Sequence, residues 1–101
     1  MAFVRAIKKD EIPAGMIREL QLDGKVIALA NVDGAFFAVD NTCLHRGGPL
    51  AEGELSGRSV TCPWHGWEYD VTTGKALLNP AVGVATYKVE VRGDDVYVEI
   101  G

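Results

Sequence analysis

The sequence predicts an all-β domain in which several short antiparallel strands form a sandwich or a small barrel. Gly and Asp residues recur at short intervals, and the segments between them alternate apolar with polar side chains. That period of two is typical of strands, and no stretch has the period of an amphipathic helix. The 101 residues are enough for one domain and leave no room for a second.

The first predicted strands are joined by Asp-Gly pairs at 23–24 and 33–34. Asp-Gly favours the positive φ angles of two-residue hairpin turns. Ahead of these strands, residues 10–13 predict one helical turn with Asp10 as its cap. The three strands span residues 16–22, 25–32 and 35–39.

The clearest strand pattern lies in the C-terminal third of the chain. Apolar residues alternate with charged residues over 87–92, and alternation resumes over 96–100 after a turn at 93–95. This is the pattern of a hairpin with a period of two on both arms. A further pair of short runs, 68–71 and 75–78, is predicted to form strands on either side of a Thr-Gly turn.

Composition and charge exclude several classes of function. Fourteen acidic residues against ten basic ones give a net charge of −4. Lys and Arg are not clustered, so nucleic-acid binding is not expected. No apolar run approaches the ~18 residues of a membrane span, and no signal peptide is visible, so we expect a cytoplasmic protein without membrane contact. The chain shows no dinucleotide-binding fingerprint and no nucleophile–base pair, so no catalytic residue is expected.

All cysteines and histidines of the chain lie in two loops that are rich in glycine and proline. The first loop carries Cys43 and His45, and the second carries Cys62 and His65. Each loop therefore offers one thiolate and one imidazole as potential metal ligands. Two ligand-bearing loops on a β-scaffold are a common arrangement for a functional site.

Three interpretations of these four residues compete. In the first, the cysteines are small buried hydrophobes and the histidines are surface residues, which requires chance to bring all four into two loops. In the second, they bind a tetrahedral zinc ion, although the usual zinc spacing pairs Cys with Cys and His with His. In the third, they bind a [2Fe–2S] cluster of the Rieske type, where two His replace two Cys on one iron. The mixed pairs suit the third, because each loop sends its Cys to one iron and its His to the other.

The two loops resemble the cluster loops of Rieske proteins. The resemblance is carried by the run CLHRGGPL from Cys43 and the run CPWHGWEYD from Cys62. It extends over nearly the whole chain and is closest to the small Rieske-type ferredoxins of bacterial ring-hydroxylating dioxygenase systems. It implies a Rieske fold of stacked antiparallel sheets in a single domain over 1–101, with a cluster-binding subdomain at about 41–82.

The resemblance also implies one [2Fe–2S] cluster per chain and a role for each ligand. Cys43 and Cys62 would bind the inner iron, and His45 and His65 the outer iron. With neutral imidazoles, two ferric ions, two sulfides and two thiolates sum to zero charge. The potential is then higher than in four-Cys ferredoxins, within roughly −150 to +300 mV.

Further residues are expected around the cluster. Glycines allow backbone N–H groups to approach the sulfur atoms closely. Tyr69 is either a core aromatic residue or a hydroxyl donor to the sulfur of Cys43. The two positions that carry an inter-loop disulfide in respiratory Rieske proteins are Gly48 and Trp64 here, so that bond cannot form. The surrounding residues are Leu44, Gly47, Gly48, Trp64, Gly66, Trp67 and Tyr69.

A contact surface for redox partners is expected at the tip that carries the cluster. Arg46, Pro49 and Trp64 are the expected contacts. Trp64 and Trp67 either pack the subdomain or form an apolar surface with Leu44 and Pro49. Nearby acidic residues form a solvated face or steer a basic partner: Glu52, Glu54 and Glu68.

The function that follows is that of a monomeric one-electron carrier. It would take electrons from a flavin-containing, NAD(P)H-dependent reductase and pass them to a terminal oxygenase, without catalysing a reaction alone. One alternative is the small electron-transfer subunit of a nitrite-reductase-like enzyme. A second is a zinc-bearing structural or interaction module.

Overall fold

The computed structural model describes residues 2–43, 48–64 and 66–100. Within these residues, ten strands form three antiparallel sheets, and two 3-10 turns span Lys9–Glu11 and Leu50–Glu52. The prediction of an all-β fold with stacked antiparallel sheets is confirmed. No helix in the described part of the chain is long and apolar enough to cross a membrane.

Each sheet has its own strand order. The first sheet contains, in order, β1 (Ala2–Lys8), β10 (Asp95–Ile100) and β9 (Val89–Arg92). The second contains β2 (Ile17–Leu22), β3 (Lys25–Val32), β4 (Ala35–Asp40) and β8 (Thr86–Tyr87). The third contains β5 (Glu54–Ser56), β6 (Ser59–Thr61) and β7 (Glu68–Asp70).

The Asp-Gly hairpin turns form as predicted. Asp23 and Gly24 have φ angles of 48° and 81°, and Asp33 and Gly34 have 52° and 93°. Two consecutive positive φ angles are the signature of the type I′ turn, whose twist matches that of the flanking strands. These turns set the register of β2, β3 and β4.

Two local predictions are wrong. The helical turn forms at Lys9–Glu11, so Asp10 lies inside it and provides no side-chain cap. The predicted strand at 75–78 is reduced to isolated bridges made by Lys75 and Ala76. Its apolar residues are consecutive and do not alternate, and Leu78 is 83% exposed.

The predicted strand at 87–92 is divided between two sheets. Tyr87 belongs to β8 and pairs with Ala38 of β4. β9 begins at Val89 and pairs with β10. The alternation of apolar and charged residues continues across Lys88, so the sequence pattern does not reveal the break.

Strand β3 lies between two hydrophobic cores. Its side chains alternate between the two faces of the sheet: Ile27 and Leu29 enter one core, and Ala28 and Ala30 enter the other. The basal core consists of Ile7, Ile12, Ile27, Leu29, Ala38, Val96, Val98 and Ile100. The cysteine core consists of Ala28, Ala30, Val39, Cys43, Leu50, Val60, Cys62, Tyr69, Val71, Ala76 and Val84.

Candidate metal centre

Both cysteines are buried in the cysteine core and carry thiols, not a disulfide. Each begins a loop of the same construction. The Cys43 N–H donates to the carbonyl of Gly48 at 2.9 Å, and the Cys62 N–H donates to the carbonyl of Trp67 at 2.6 Å. In both loops the bond closes on the residue five positions further along the chain. The two thiols are therefore presented by two equally closed loops.

Each cysteine sulfur has a polar neighbour. The Tyr69 hydroxyl lies 3.3 Å from Cys43 Sγ, and the Trp64 N–H donates to Cys62 Sγ at 3.4 Å. Burial raises the pKa of the Cys62 thiol; the Trp64 N–H opposes this, and the adjacent Cys43 thiol raises the pKa further. Two neighbouring thiolates repel each other, and a cation bound between them removes that penalty.

The neck of the first loop is fixed by the buried side chain of Asn41. Its amide N–H donates to Glu19 Oε1 at 2.7 Å, and its amide oxygen accepts from the Ala51 N–H at 2.8 Å. The Asn41 backbone carbonyl accepts a bond from the Leu50 N–H at 2.8 Å. Asn41 thus joins β2 to both ends of the loop.

Asn41 is a residue of the site that the sequence pattern does not predict. Asn41 directly follows β4, and a polar residue next to the buried end of a strand is the one sequence feature that could have indicated its role. Its role depends on Glu19 and Ala51, which lie 22 and 10 positions away, and residue spacing alone does not predict those contacts.

Gly48 and Gly66 occupy different environments. A β-carbon on Gly48 would lie 3.0 Å from Cys62 Sγ and 3.0 Å from Cγ of Trp64. Gly66 has a φ of 74° and open space where a β-carbon would stand. Gly48 therefore permits a close approach between the loops, whereas Gly66 permits a left-handed backbone conformation.

The two tryptophans are placed differently. Trp67 packs against the cysteine core, and its ring centroid lies 6.4 Å from that of Tyr69. Trp64 is 50% exposed. Pro49 is half-buried and forms a β-bridge with Thr42 across the loop neck. Among these residues, Trp64 therefore offers the most open apolar surface.

Two clefts flank Gly66 on the surface. One, of about 490 Å³, is lined by Cys62, Pro63 and the exposed acidic residues Glu52 and Glu54. The other, of about 440 Å³, is lined by residues that include Trp67, Glu68, Leu77 and Leu78. The second cysteine loop thus lies between two clefts, one bordered by Glu52 and Glu54 and the other by Leu77 and Leu78.

Five of the residues expected at the site lie outside the described residues. They include both predicted histidine ligands, so the four-ligand set stays a prediction. The five are Leu44, His45, Arg46, Gly47 and His65.

Comparison with known proteins gives a consistent set of similarities. The family model described as the Rieske [2Fe–2S] domain matches residues 2–88 of this chain. The chain is 35% identical over 99 residues to the naphthalene 1,2-dioxygenase system ferredoxin component of Pseudomonas aeruginosa, covering 97% of this chain and 95% of the relative.

Solved structures give the same result. The ferredoxin of carbazole 1,9a-dioxygenase from Nocardioides aromaticivorans IC177 superposes with a TM-score of 0.90 at 26% identity, over 97% of each chain. A chain in a complex of reduced oxygenase and oxidized ferredoxin in carbazole 1,9a-dioxygenase superposes with a TM-score of 0.88 at 32% identity. That match covers 95% of this chain and 91% of the other.

The described residues fit the cofactor of this family. Two buried, adjacent thiols are the soft ligands that iron–sulfur clusters require, and each sulfur has a hydrogen-bonding neighbour that suits bound negative charge. From this fit and the similarities above, we conclude that the chain belongs to the Rieske [2Fe–2S] family, among the ferredoxin components of dioxygenase systems.

Proposed function

We propose that the chain carries single electrons from an NAD(P)H-dependent flavin reductase to a terminal oxygenase that hydroxylates aromatic rings. The observation that carries this proposal is the pair of buried, adjacent thiols at the starts of two equally closed loops. A hydride delivers two electrons to the reductase flavin, so two trips of the carrier transfer them to the oxygenase.

The ligands would be Cys43 and Cys62 on the inner iron, with His45 and His65 on the outer iron. When bound, the cluster supplies a one-electron couple. The cluster-binding subdomain would span about 41–82. The third sheet lies within that range, as do the bridges made by Thr42 with Pro49 and by Tyr69 with Ala76, which supports these limits.

The residues around the two sulfurs would adjust the potential. With the cluster bound, the Tyr69 hydroxyl would donate to Cys43 Sγ as the Trp64 N–H does to Cys62 Sγ, and both bonds would stabilise the negative charge that an added electron brings. The burial of Cys43 and Cys62 keeps water away from the inner side of the site.

Partners would dock at the tip that presents Trp64. Its half-exposed indole supplies apolar contact area, with Pro49 and Arg46 as further contacts. Exposed Glu52 and Glu54 beside Cys62 would attract a basic surface on the partner. Such a contact suits a transient complex, since weak redox encounters bury small areas.

The decisive experiment is an absorption spectrum of the purified protein, oxidised and then reduced with dithionite, with iron and sulfide counted. We expect a brown protein with about two irons per chain that bleaches on reduction. Reoxidation by the cognate oxygenase component, followed at the same wavelengths, then tests delivery of the electron. A Cys62→Ala variant is the control and should be colourless.

A colourless, zinc-loaded wild-type protein would contradict the proposal and favour the zinc module. Stable co-purification with a large reductase subunit would favour the nitrite-reductase-like alternative. The relatives described above support neither. A cytoplasmic location belongs to the proposal, since both cysteines are assigned to the cluster and leave none for the disulfides typical of secreted proteins, and cell fractionation tests it.

A further inference from the structure

Gly48 marks the place where the first cysteine loop touches the second. It is buried, and the position of a β-carbon on it would lie within 3.0–3.1 Å of Cys62 Sγ and of two ring atoms of Trp64. Such distances are shorter than normal carbon contacts, so no side chain fits here without moving the sulfur or the indole. The first loop therefore meets the second against the bare Cα of Gly48.

Hydrogen bonds within the second loop hold Trp64 in its position against Gly48. Its backbone N–H donates to Cys62 Sγ at 3.4 Å, and its loop is closed by the bond from Cys62 to Trp67. Trp64 nonetheless remains 50% exposed. One part of the ring therefore meets the opposite loop, while the rest remains open to solvent.

This contact crosses between the loops, whereas the closing hydrogen bond of each loop is internal to that loop. Cys43 bonds to Gly48 within the first loop, and Cys62 bonds to Trp67 within the second. Neither of those bonds involves an atom of the other loop. The contact of Trp64 with Gly48 joins one loop to the other, so it favours the arrangement in which the two loops lie together.

We propose that the Trp64 indole, seated on Gly48, is a non-covalent clasp that holds the two cysteine loops together and limits the access of water to Cys62 Sγ. This inference rests on the proposed role of Cys62 as a cluster ligand. Trp64 is thus a positioning residue that acts through the loops. Release of the cluster requires the loops to open, so the clasp slows release.

The test is the rate of cluster loss in excess iron chelator, followed by visible absorption, for Trp64→Ala, Gly48→Ala and the double variant. We expect Trp64→Ala to lose its cluster about tenfold faster, the factor given by one aromatic contact. Gly48→Ala also crowds Cys62 Sγ, but the two substitutions share the contact between the loops, so the double variant should fall clearly short of the product of the two single effects. A double-variant rate nearer to the product of the single effects overturns the clasp, and so does an unchanged Trp64→Ala rate.

The reduction potential separates the clasp from a purely structural role. Water at the Cys62 sulfur stabilises the reduced state, so Trp64→Ala should shift the potential upward. Faster cluster loss with an unchanged potential overturns the proposal. Leu78→Ala is the matched control, since it removes an exposed apolar side chain near the same loop and should alter neither quantity.

Two further measurements keep the outcomes separate. If Gly48→Ala yields no loaded protein, Trp64→Phe decides: slower cluster loss than in Trp64→Ala supports the flat contact, and equal loss overturns it. Iron and sulfide in the wild-type protein show separately whether the proposed function holds.

Discussion

The two cores on either side of β3 are built on different chemistry. The basal core contains only Ala, Val, Leu and Ile, and all of them except Ile12 lie on strands of six to eight residues. The cysteine core contains two thiols and the hydroxyl-bearing Tyr69, and its own sheet has strands of three residues. Burial of apolar surface stabilises the first core, whereas the second also depends on hydrogen bonds and, under the proposed function, on bound iron.

This difference separates stability from redox chemistry within one small chain. The basal core needs no cofactor to be complete, because its side chains are apolar and packed. The cysteine core brings two adjacent thiols together, which under the proposed function would gain stability when iron binds. Substitutions on the two sides of β3 should therefore change different measured properties.

Removal of iron should have the largest effect, and it should affect one side only. Metal bound at a buried site contributes several kcal/mol of folding free energy. After chelation, we expect the amide of Val60 in β6 to exchange on the order of a thousandfold faster. The amides of Leu29 in β3 and Val98 in β10 should keep most of their protection, as hydrogen exchange by NMR would show.

Equal loss of protection in all three strands would mean that the two cores unfold as one unit. The reconstituted protein is the control, since refilling the site should restore the protection at Val60.

Leu29→Ala should produce the largest change in stability without changing the redox properties. Leu29 is fully buried in the basal core, and such a truncation costs about 2–5 kcal/mol in the free energy of unfolding. The potential should stay at the wild-type value. Urea unfolding and protein-film voltammetry measure the two quantities.

Val60→Ala is the matched variant on the opposite side. Val60 is fully buried in the cysteine core, so its truncation should accelerate cluster loss. A shifted potential in Leu29→Ala, or wild-type cluster retention in Val60→Ala, would remove the distinction between the cores.

The strands that border the basal core were the easiest to predict from the sequence. Alternation in β3, β4 and β10 and the two Asp-Gly turns are local signals, since each depends on neighbouring residues in the chain. Strand β1 was missed because its apolar residues do not alternate: its pairing with β10 shifts register between Arg5 and Ile7. Strands β5 and β6 were missed because three residues are too few to establish a period.

The candidate site was only partly accessible from sequence. The Cys and His pairs were visible because those residue types are rare and were confined to two loops. The contact of Gly48 with Trp64 and the bonds of Asn41 were not visible. Both join segments that are distant in the chain, and no residue spacing encodes such contacts.

Asn41→Asp should lower the free energy of unfolding by about 1–3 kcal/mol, because it disrupts the hydrogen bond that connects the first cysteine loop to β2. The new carboxylate loses the donor to Glu19 and faces another acceptor, although it can still accept the bond from Ala51. Thermal or urea unfolding measures the loss.

Glu19→Gln provides the rescue. In the double variant, the Gln amide can donate to the new carboxylate, so the bond is restored with donor and acceptor reversed. Most of the lost stability should return, and a double variant as unstable as Asn41→Asp would show that the bond to Glu19 is unimportant.

Tyr69→Phe should lower the potential by roughly 20–65 mV. The removed hydroxyl lies 3.3 Å from Cys43 Sγ, and a hydrogen bond of about 0.5–1.5 kcal/mol converts to that range for one electron. Protein-film voltammetry measures the shift. Tyr97→Phe in β10 is the control, and an unchanged midpoint in Tyr69→Phe would show that the bond does not favour the reduced state.

Tyr87→Phe should have the smallest effect, confined to alkaline pH. Burial, and secondarily the charge of Asp40, raise the pKa of Tyr87 above its ordinary value. A raised pKa contributes stability that is fully present below about pH 10 and is lost as the pH rises through the folded-state pKa. The variant should lose less stability above pH 10, by under about 1 kcal/mol given solvent screening.

Urea unfolding at pH 8 and at pH 10.5 measures that difference. Equal losses in the wild-type protein and in Tyr87→Phe would show that another group controls alkaline stability.

The division of side chains along β3 also has an evolutionary consequence. Ile27 and Leu29 face the basal core, and Ala28 and Ala30 face the cysteine core. Adjacent positions are therefore under different selection, one set for stability and the other for the properties of the site. A descendant lineage that adapts to a new oxygenase can revise the loop-bearing side while it inherits the base unchanged. Among such carriers, the positions of β3 that face the cysteine core should therefore vary independently of the alternate positions that face the basal core.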